Sequence, residues 1–274
     1  MAAATTAALP AYSRAQRVTQ ARVIKSEWTK LRTQPAALWC LLSAVVLVVG
    51  FGVLYSLLRE ARPPQGAAAT ASFDPVSVSQ SGIQLAQIAV GVLGVLLITS
   101  EYATGMIRTT LAAVPKRLPA LWGKAIMLTA AIGVIGLPAS FITFTAGQSI
   151  LGKQHLSTTL GAPGVTQAVI GSALYLAVAG LLGLALGTLL RSAAAGISAL
   201  FGVLFALPIV AGFLPGSLSD QVGKFLPSTA GQAITAVHPD PATSLSPWTG
   251  FGVFAAYAAV LLAVSAVRMR RGDA

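Results

Sequence analysis

The chain has 274 residues, of which 55% are hydrophobic and 9% charged, with a mean hydropathy of +0.78. A soluble domain carries about 25% charged residues, and a chain this apolar lacks the polar surface that keeps a protein dispersed, so the composition excludes a soluble globule and points to an all-α, polytopic membrane protein. The net charge of +11 does not imply a nucleic-acid partner, because membrane spans joined by short loops cannot build the basic, aromatic-studded surface that such a partner needs.

Residues 1–35 form a basic cytoplasmic leader with Arg14, Arg17, Arg22, Lys25, Lys30 and Arg32 against one acid, Glu27. A secretory signal would place a short apolar core near the start and follow it with a small-residue cleavage site. Here the first apolar run begins only after Pro35. A mitochondrial transit peptide is the competing reading of an Arg-rich, acid-poor leader. Against it, Val18, Ala21, Ile24, Trp28 and Leu31 recur every three or four residues up to the first apolar run, which predicts an amphipathic helix lying in the membrane interface. Such a helix serves as a plain anchor or as a lever between the membrane and a cytoplasmic partner.

Six apolar runs fill residues 36–267, at about 36–58, 82–99, 125–150, 165–190, 193–214 and 249–267, and residues 268–274 form a cytoplasmic tail. At 1.5 Å per residue the first run reaches about 34 Å, enough to cross a ~30 Å hydrocarbon core. Only Arg191 and Ser192 separate the fourth and fifth runs, which predicts a tight helical hairpin, and Pro138 and Pro208 lie inside spans. Gly183 and Gly187 offer the fourth span a close-packing face within the chain. Gly196, Ala199, Gly202 and Ala206 offer the fifth a face for contact across a dimer axis. Polar groups inside a span should face protein or water. On that ground Gln84 and Gln87 on the second span, together with Phe201 and Phe205 on the fifth, are candidates for a substrate path; lipid-facing packing is the alternative for the two aromatics.

Fourteen of the eighteen Lys and Arg fall in the leader, in the segment between spans two and three, at Arg191 and in the tail. The positive-inside rule puts these segments, and both termini, on the cytoplasmic side, beside the anionic membrane lipids that attract them. A plasma-membrane, multi-pass location follows.

Chemistry-bearing motifs are sparse. Cys40 is the single cysteine, and His155 and His238 stand apart in outer loops, so no metal cluster or disulfide is expected. None of the six predicted span cores holds an ionisable residue, although ion-coupled carriers usually place one there. Gly147, Gly152 and Lys153 have the spacing of a phosphate loop, but Gln154 stands where the magnesium-binding hydroxyl belongs, and the motif also needs a preceding strand. It reads as a helix end capped by glycine, and no nucleotide, metal or other cofactor is expected on this chain.

Three short segments carry a resemblance. The stretch 99–117 holds Glu101, Tyr102, Gly105, Ile107 and Arg108 and stops its helix at Pro115; the leader holds Glu27, Trp28, Lys30 and Arg32; and Gly187 to Ser192 closes the fourth span. Together they resemble ABC-2-type ABC transporter permeases, with their Glu-Tyr-x-x-Gly-x-Ile-Arg loop. The resemblance implies a non-enzymatic transport subunit, an exporter, working as a homodimer or close heterodimer in the lipid bilayer with two copies of a separate ABC ATPase that hold the ATP and Mg. It makes the loop after span two a coupling helix, with Glu101, Gly105, Ile107 and Arg108 as ATPase contacts and Trp28 and Lys30 beside them. Glu101 would then begin that helix, where the helix dipole favours an acid. A carrier or channel not powered by ATP, or a membrane-embedded enzyme, are the other classes.

Overall fold

The computed structural model describes residues 20–66, 73–105, 117–215, 217–237 and 240–271. The leader helix α1 spans Gln20–Thr33, and α2 (Pro35–Ala61), α4 (Ile83–Ala103), α5 (Arg117–Leu151), α6 (Val165–Leu190), α7 (Ala193–Gly212) and α10 (Pro247–Arg271) are six helices long and apolar enough to cross a membrane. Short helices α3 (Pro75–Ser79), α8 (Ser217–Gly223) and α9 (Pro227–Gln232) lie in the connections, and no strand occurs among the described residues. An all-α, six-span architecture is therefore present.

Helix α6 is the axis of the bundle: 83% of an 18-residue apolar stretch of it is buried, against 17% for α7. It packs on α4, α5 and α10. The seam with α4 is made by glycines, because a Cβ added to Gly183 would lie 2.0 Å from the carbonyl oxygen of Gly91, and one added to Gly94 would lie 2.1 Å from that of Gly180. In a bilayer, where lipid is as apolar as leucine, such close backbone contact supplies the packing energy that burial supplies in water. The Gly183 and Gly187 face thus packs within the chain, as expected. On α7, Gly196 packs against Val95 and Gly187, whereas Gly202 has open space around it.

Two spans widen into π-helix, Leu47–Phe51 in α2 and Gly202–Ala206 in α7. In α7 the widening leads into Pro208, which has no N–H to give to the preceding turn. In α2 it meets the glycine-lined start of α4: a Cβ on Gly82 would fall 2.3 Å from the Leu47 carbonyl oxygen. Thr143 of α5 places its hydroxyl 3.2 Å from the carbonyl oxygens of both Val48 and Ser79, stitching three elements together inside the bundle. Thr143→Val removes that donor while keeping the shape, and should cost about 1–2 kcal/mol, read as a lower unfolding temperature of the detergent-solubilised chain; an unchanged temperature would mean the hydroxyl is dispensable.

The segment 215–248 turns back into the bundle. Pro227, Ser228, Ala230, Gly231, Ala233 and Ile234 are buried, and α9 sits on α10 with Gly231 facing the rings of Phe254 and Tyr175. At the end of α5 the chain tightens into a 3-10 turn, Gly152–Gln154, and His155, at φ 58°, takes the left-handed position expected of a glycine. The phosphate-loop look-alike is thus a helix end, with its capping residue three positions further on than Gly152.

All four tryptophans lie at or beside the ends of helices and are exposed: Trp28, Trp39 and Trp122 at the end that carries the leader, Trp248 at the opposite end. This is the arrangement of interfacial aromatic belts.

Candidate functional site

Against the protein the leader helix turns a face rotated from the centre of its apolar stripe: Val23, Glu27 and Leu31 are buried, one turn apart, while of the stripe itself Leu31 is buried, Ile24 half-buried, and Ala21 and Trp28 exposed; Val18 lies outside the described residues. The rotation follows from what α1 meets. It packs on the start of α5, where Gly123 leaves room for Val23 and the Gln20 amide donates to the Pro119 carbonyl at 3.2 Å. This brings an acid, Glu27, to the inside.

Glu27 is met there by three other charges. Lys124 of α5 donates to Glu27 Oε2 at 2.5 Å and to Glu101 Oε1 at 2.8 Å, and Lys30 donates to Glu27 Oε1 and Glu101 Oε1, both at 2.8 Å. Glu27, Glu101 and Lys124 are each 2% exposed, and Lys30 is 32% exposed. Two acids and two bases cancel, which is the condition for burying charge at tolerable cost. Burial of Lys30 works to lower its pKa, but its hydrogen bonds and charge interactions with Glu101 and Glu27 outweigh this and hold it above the usual lysine value. The stability Lys30 contributes is therefore fully present below its unfolded value near 10.5 and is lost only as pH rises through the raised folded value.

The helices reach beyond the apolar runs. Helix α4 continues to Ala103, past the run that ends near residue 99, and α5 begins at Arg117, ahead of the run that starts near 125, so Glu101 and Lys124 lie within the helices of the second and third spans. Glu101 occupies the last turn of α4 instead of opening a new helix. The helix dipole there disfavours an acid, and Lys30 and Lys124 overcome it. The helix then stops at Gly105, whose φ of 69° is left-handed and whose N–H bonds the Tyr102 carbonyl at 3.2 Å.

The other named residues are placed as follows. Tyr102 holds its ring 5.6 Å from the Arg191 guanidinium at the end of α6. Arg191 itself is left-handed at φ 53°, and Ser192 caps α7, which closes the two-residue hairpin between α6 and α7. Trp28 is exposed and Lys30 belongs to the ion cluster. Ile107 and Arg108 lie outside the described residues. Gln87 is buried, with its carbonyl oxygen accepting from Tyr175, whose ring stacks on Phe254 at 5.1 Å; Gln84 donates weakly to Gln232 of α9 at 3.4 Å. Phe201 immediately precedes the π segment of α7 and Phe205 lies within it, their rings 5.5 Å apart, with Phe201 exposed. No group of His, Cys, Asp and Glu fit to hold a metal occurs among the described residues.

Beside the ion cluster lies a cavity of about 410 Å³, bordered by Gln34 and Pro35 at the joint between α1 and α2, by Leu97 and Ser100 of α4 and Thr104 at its cap, and by the four charges. Sequence reading missed the cluster because Glu27 pairs with Lys124 across 97 residues and Lys30 with Glu101 across 71, and no local pattern marks such partners. A single signal was present: a lone acid in an otherwise basic leader.

The described parts of the three segments that carried the resemblance thus meet at one end of the bundle, joined by Lys30–Glu101 and Tyr102–Arg191 contacts. No curated protein matches the chain. Comparison with protein families matches residues 23–208 to the description ABC-2 family transporter protein, a stretch that contains the leader contact, the ion cluster and the first four spans, and the chain belongs to that family.

Proposed function

We propose that the chain is the membrane-spanning subunit of an ATP-driven exporter whose ATPase is a separate polypeptide, two copies of which bind a pair of permease chains. The observation that carries this reading is the convergence of the leader, the end of α4 and the start of α5 on one buried ion cluster. A push delivered through the connection between α4 and α5 would pass into two spans and the leader together. The ATP and Mg would sit on the partner, this chain holding no cofactor of its own.

Within this reading Glu101 and Lys30 are spent on holding the platform. The ATPase contacts are then sought at Ile107 and Arg108, with Gly105 setting the exit direction and Trp28 alongside. The end bearing Arg22, Lys25, Lys30, Arg32, Lys124, Arg191, Arg268 and Arg270 faces the cytoplasm by the positive-inside rule. The second permease copy is placed on α7, whose span is the least buried and whose Gly202 is open.

The test is co-purification. A tagged chain drawn from native membranes should bring down an ABC ATPase. Arg108→Glu should reduce its recovery and the transport it drives by tenfold or more, since breaking a desolvated interfacial charge pair costs roughly 2–5 kcal/mol. Arg117→Glu, which makes the same charge change beyond Pro115, is the control and should leave both near normal. Equal recovery with all three chains would reject the coupling assignment. Transport that follows an ion gradient with no ATPase present would reject the ATP-driven reading.

A further inference from the structure

The chain has seven acids for eighteen basic side chains. At the end of the bundle that carries the leader, Glu27 and Glu101 are taken up by Lys30 and Lys124, while Glu60, Asp74, Asp220 and Asp240 belong to the opposite end. Asp273 lies outside the described residues. Among the described residues, Arg191 and Arg268 therefore form no ion pair.

Yet the fold brings these two to one place. Arg191 closes α6 with its guanidinium 5.6 Å from the ring of Tyr102, at the end of α4. Arg268 lies on α10, which runs beside α6 in the same direction, the Ser265 hydroxyl donating to the Ala185 carbonyl at 3.0 Å. Counted from that contact at 1.5 Å per residue, Arg268 stands about 4.5 Å and Arg191 about 9 Å further along, within one turn in height. The charges of both act on the Tyr102 hydroxyl. Arg268 is exposed, and Arg191 and Tyr102 are partly so. Arg191 also holds a φ of 53°, the left-handed conformation that glycine takes most readily at a helix end. The hairpin needs that backbone, which glycine or asparagine supplies, and does not need the guanidinium.

The surroundings select the ligand. Two cations without a carboxylate between them require an anion. Val260, Val264 and Arg268 follow at i, i+4 and i+8 on one face of α10, and both valines are exposed, as is Leu190 beside Arg191. The charge thus stands at the head of an apolar strip, as a phosphate stands at the head of its acyl chains. The exposed Trp28, Trp39 and Trp122 mark this end of the bundle as a membrane interface. Basic sites between spans on the cytoplasmic side are suited to anionic headgroups.

We propose that Arg191 and Arg268, beside Tyr102, bind the phosphate of an anionic phospholipid, phosphatidylglycerol in chemistry, whose acyl chains lie along the exposed strip of α10. The assignment stands independently of the transport reading.

Phosphatidylcholine is the discriminating probe, because it carries the same phosphodiester but cancels it with its own cation. The full chain, delipidated in detergent, is titrated by native mass spectrometry with phosphatidylglycerol and phosphatidylcholine of identical acyl chains. One equivalent of phosphatidylglycerol should bind about tenfold more tightly, the scale of one charge-assisted hydrogen bond. Arg191→Asn and Arg268→Gln should each cut that preference to about threefold or less. Neither should lower the lipid-free unfolding temperature, since asparagine tolerates the left-handed turn and Arg268 is exposed. Should Arg191→Asn unfold early, Arg268→Gln decides the matter. Arg270→Gln removes the same charge from the other side of α10 and should keep the preference. An equal loss with Arg270→Gln overturns the location in favour of diffuse attraction, and a preference that survives both other variants overturns it as well. Equal binding of the two lipids overturns the proposal; it leaves the pair to the chain's own Asp273 if Asp273→Asn creates the preference, and to an acidic partner subunit if it does not. Displacement of the lipid by soluble glycerophosphoglycerol at equal concentration overturns the lipid source.

Discussion

Replacing Lys124 by methionine should cost about 3–5 kcal/mol, the penalty of leaving a buried charge without its partner. Met is similar in length and leaves no large void, so the loss isolates the charge. What remains is two carboxylates, each 2% exposed, sharing the single ammonium of Lys30. The more informative measurement is the rescue. Adding Glu27→Gln to Lys124→Met restores the balance, one acid and one base, and the double variant should regain most of the stability lost by the single one. Such non-additivity is the signature of residues acting as one network. Unfolding temperature and abundance of the parent, the two single variants and the double variant, measured in one detergent, would decide it. A Lys124→Met chain as stable as the parent would mean that the four charges are not coupled, and a double variant worse than the sum of its parts would mean that Glu27 has another role.

The seam between α4 and α6 should respond as sharply to a single methyl group. Gly183→Ala puts a Cβ 2.0 Å from the Gly91 carbonyl oxygen, a backbone atom that cannot swing aside. The helices must separate, and overpacking of this kind costs about 1–3 kcal/mol or more. Because α6 is the most buried span, the separation spreads to its contacts with α5 and α10. Gly133→Ala on α5 has nothing within 4 Å of the added carbon and should instead stabilise by about 0.5–1 kcal/mol, since glycine is a poor helix residue. Opposite signs for the same chemical change, read by unfolding temperature, would establish the seam; a harmless Gly183→Ala would refute it.

The spans were readable because length and apolarity alone define them: a run of eighteen or more apolar residues has few alternatives. Their ends were less readable for a physical reason. Charge marks a boundary only when it is solvated, and Glu101 and Lys124 are paired instead, so helices that seemed to stop before them continue through. The leader shows the same limit. Its apolar stripe was correctly periodic, yet the side that packs on the protein contains Glu27, while Trp28 on the apolar side is left exposed at the level of the interface. Hydrophobic periodicity tells which residues avoid water, and in a membrane protein lipid satisfies that as well as a core does. The cap at His155 was hidden because glycine, with no Cβ, is the residue that most readily takes the left-handed cap position, and Gly152 stood three residues before the one that takes it. The candidate site was legible as three separate motifs but not as one structure.

The ion cluster also has an order in time. A chain is made from its N-terminus, so Glu27 and Lys30 emerge first, Glu101 next, and Lys124 last. Until Lys124 is joined to the chain, two acids share one base, and the leader has no balanced partner on the second span. Only the start of the third span completes neutrality, at the same point where Gly123 offers the leader its seat. The leader therefore gains its charge-balanced seat only once the third span has begun, and a chain halted before residue 124 would hold two acids of the cluster against one base.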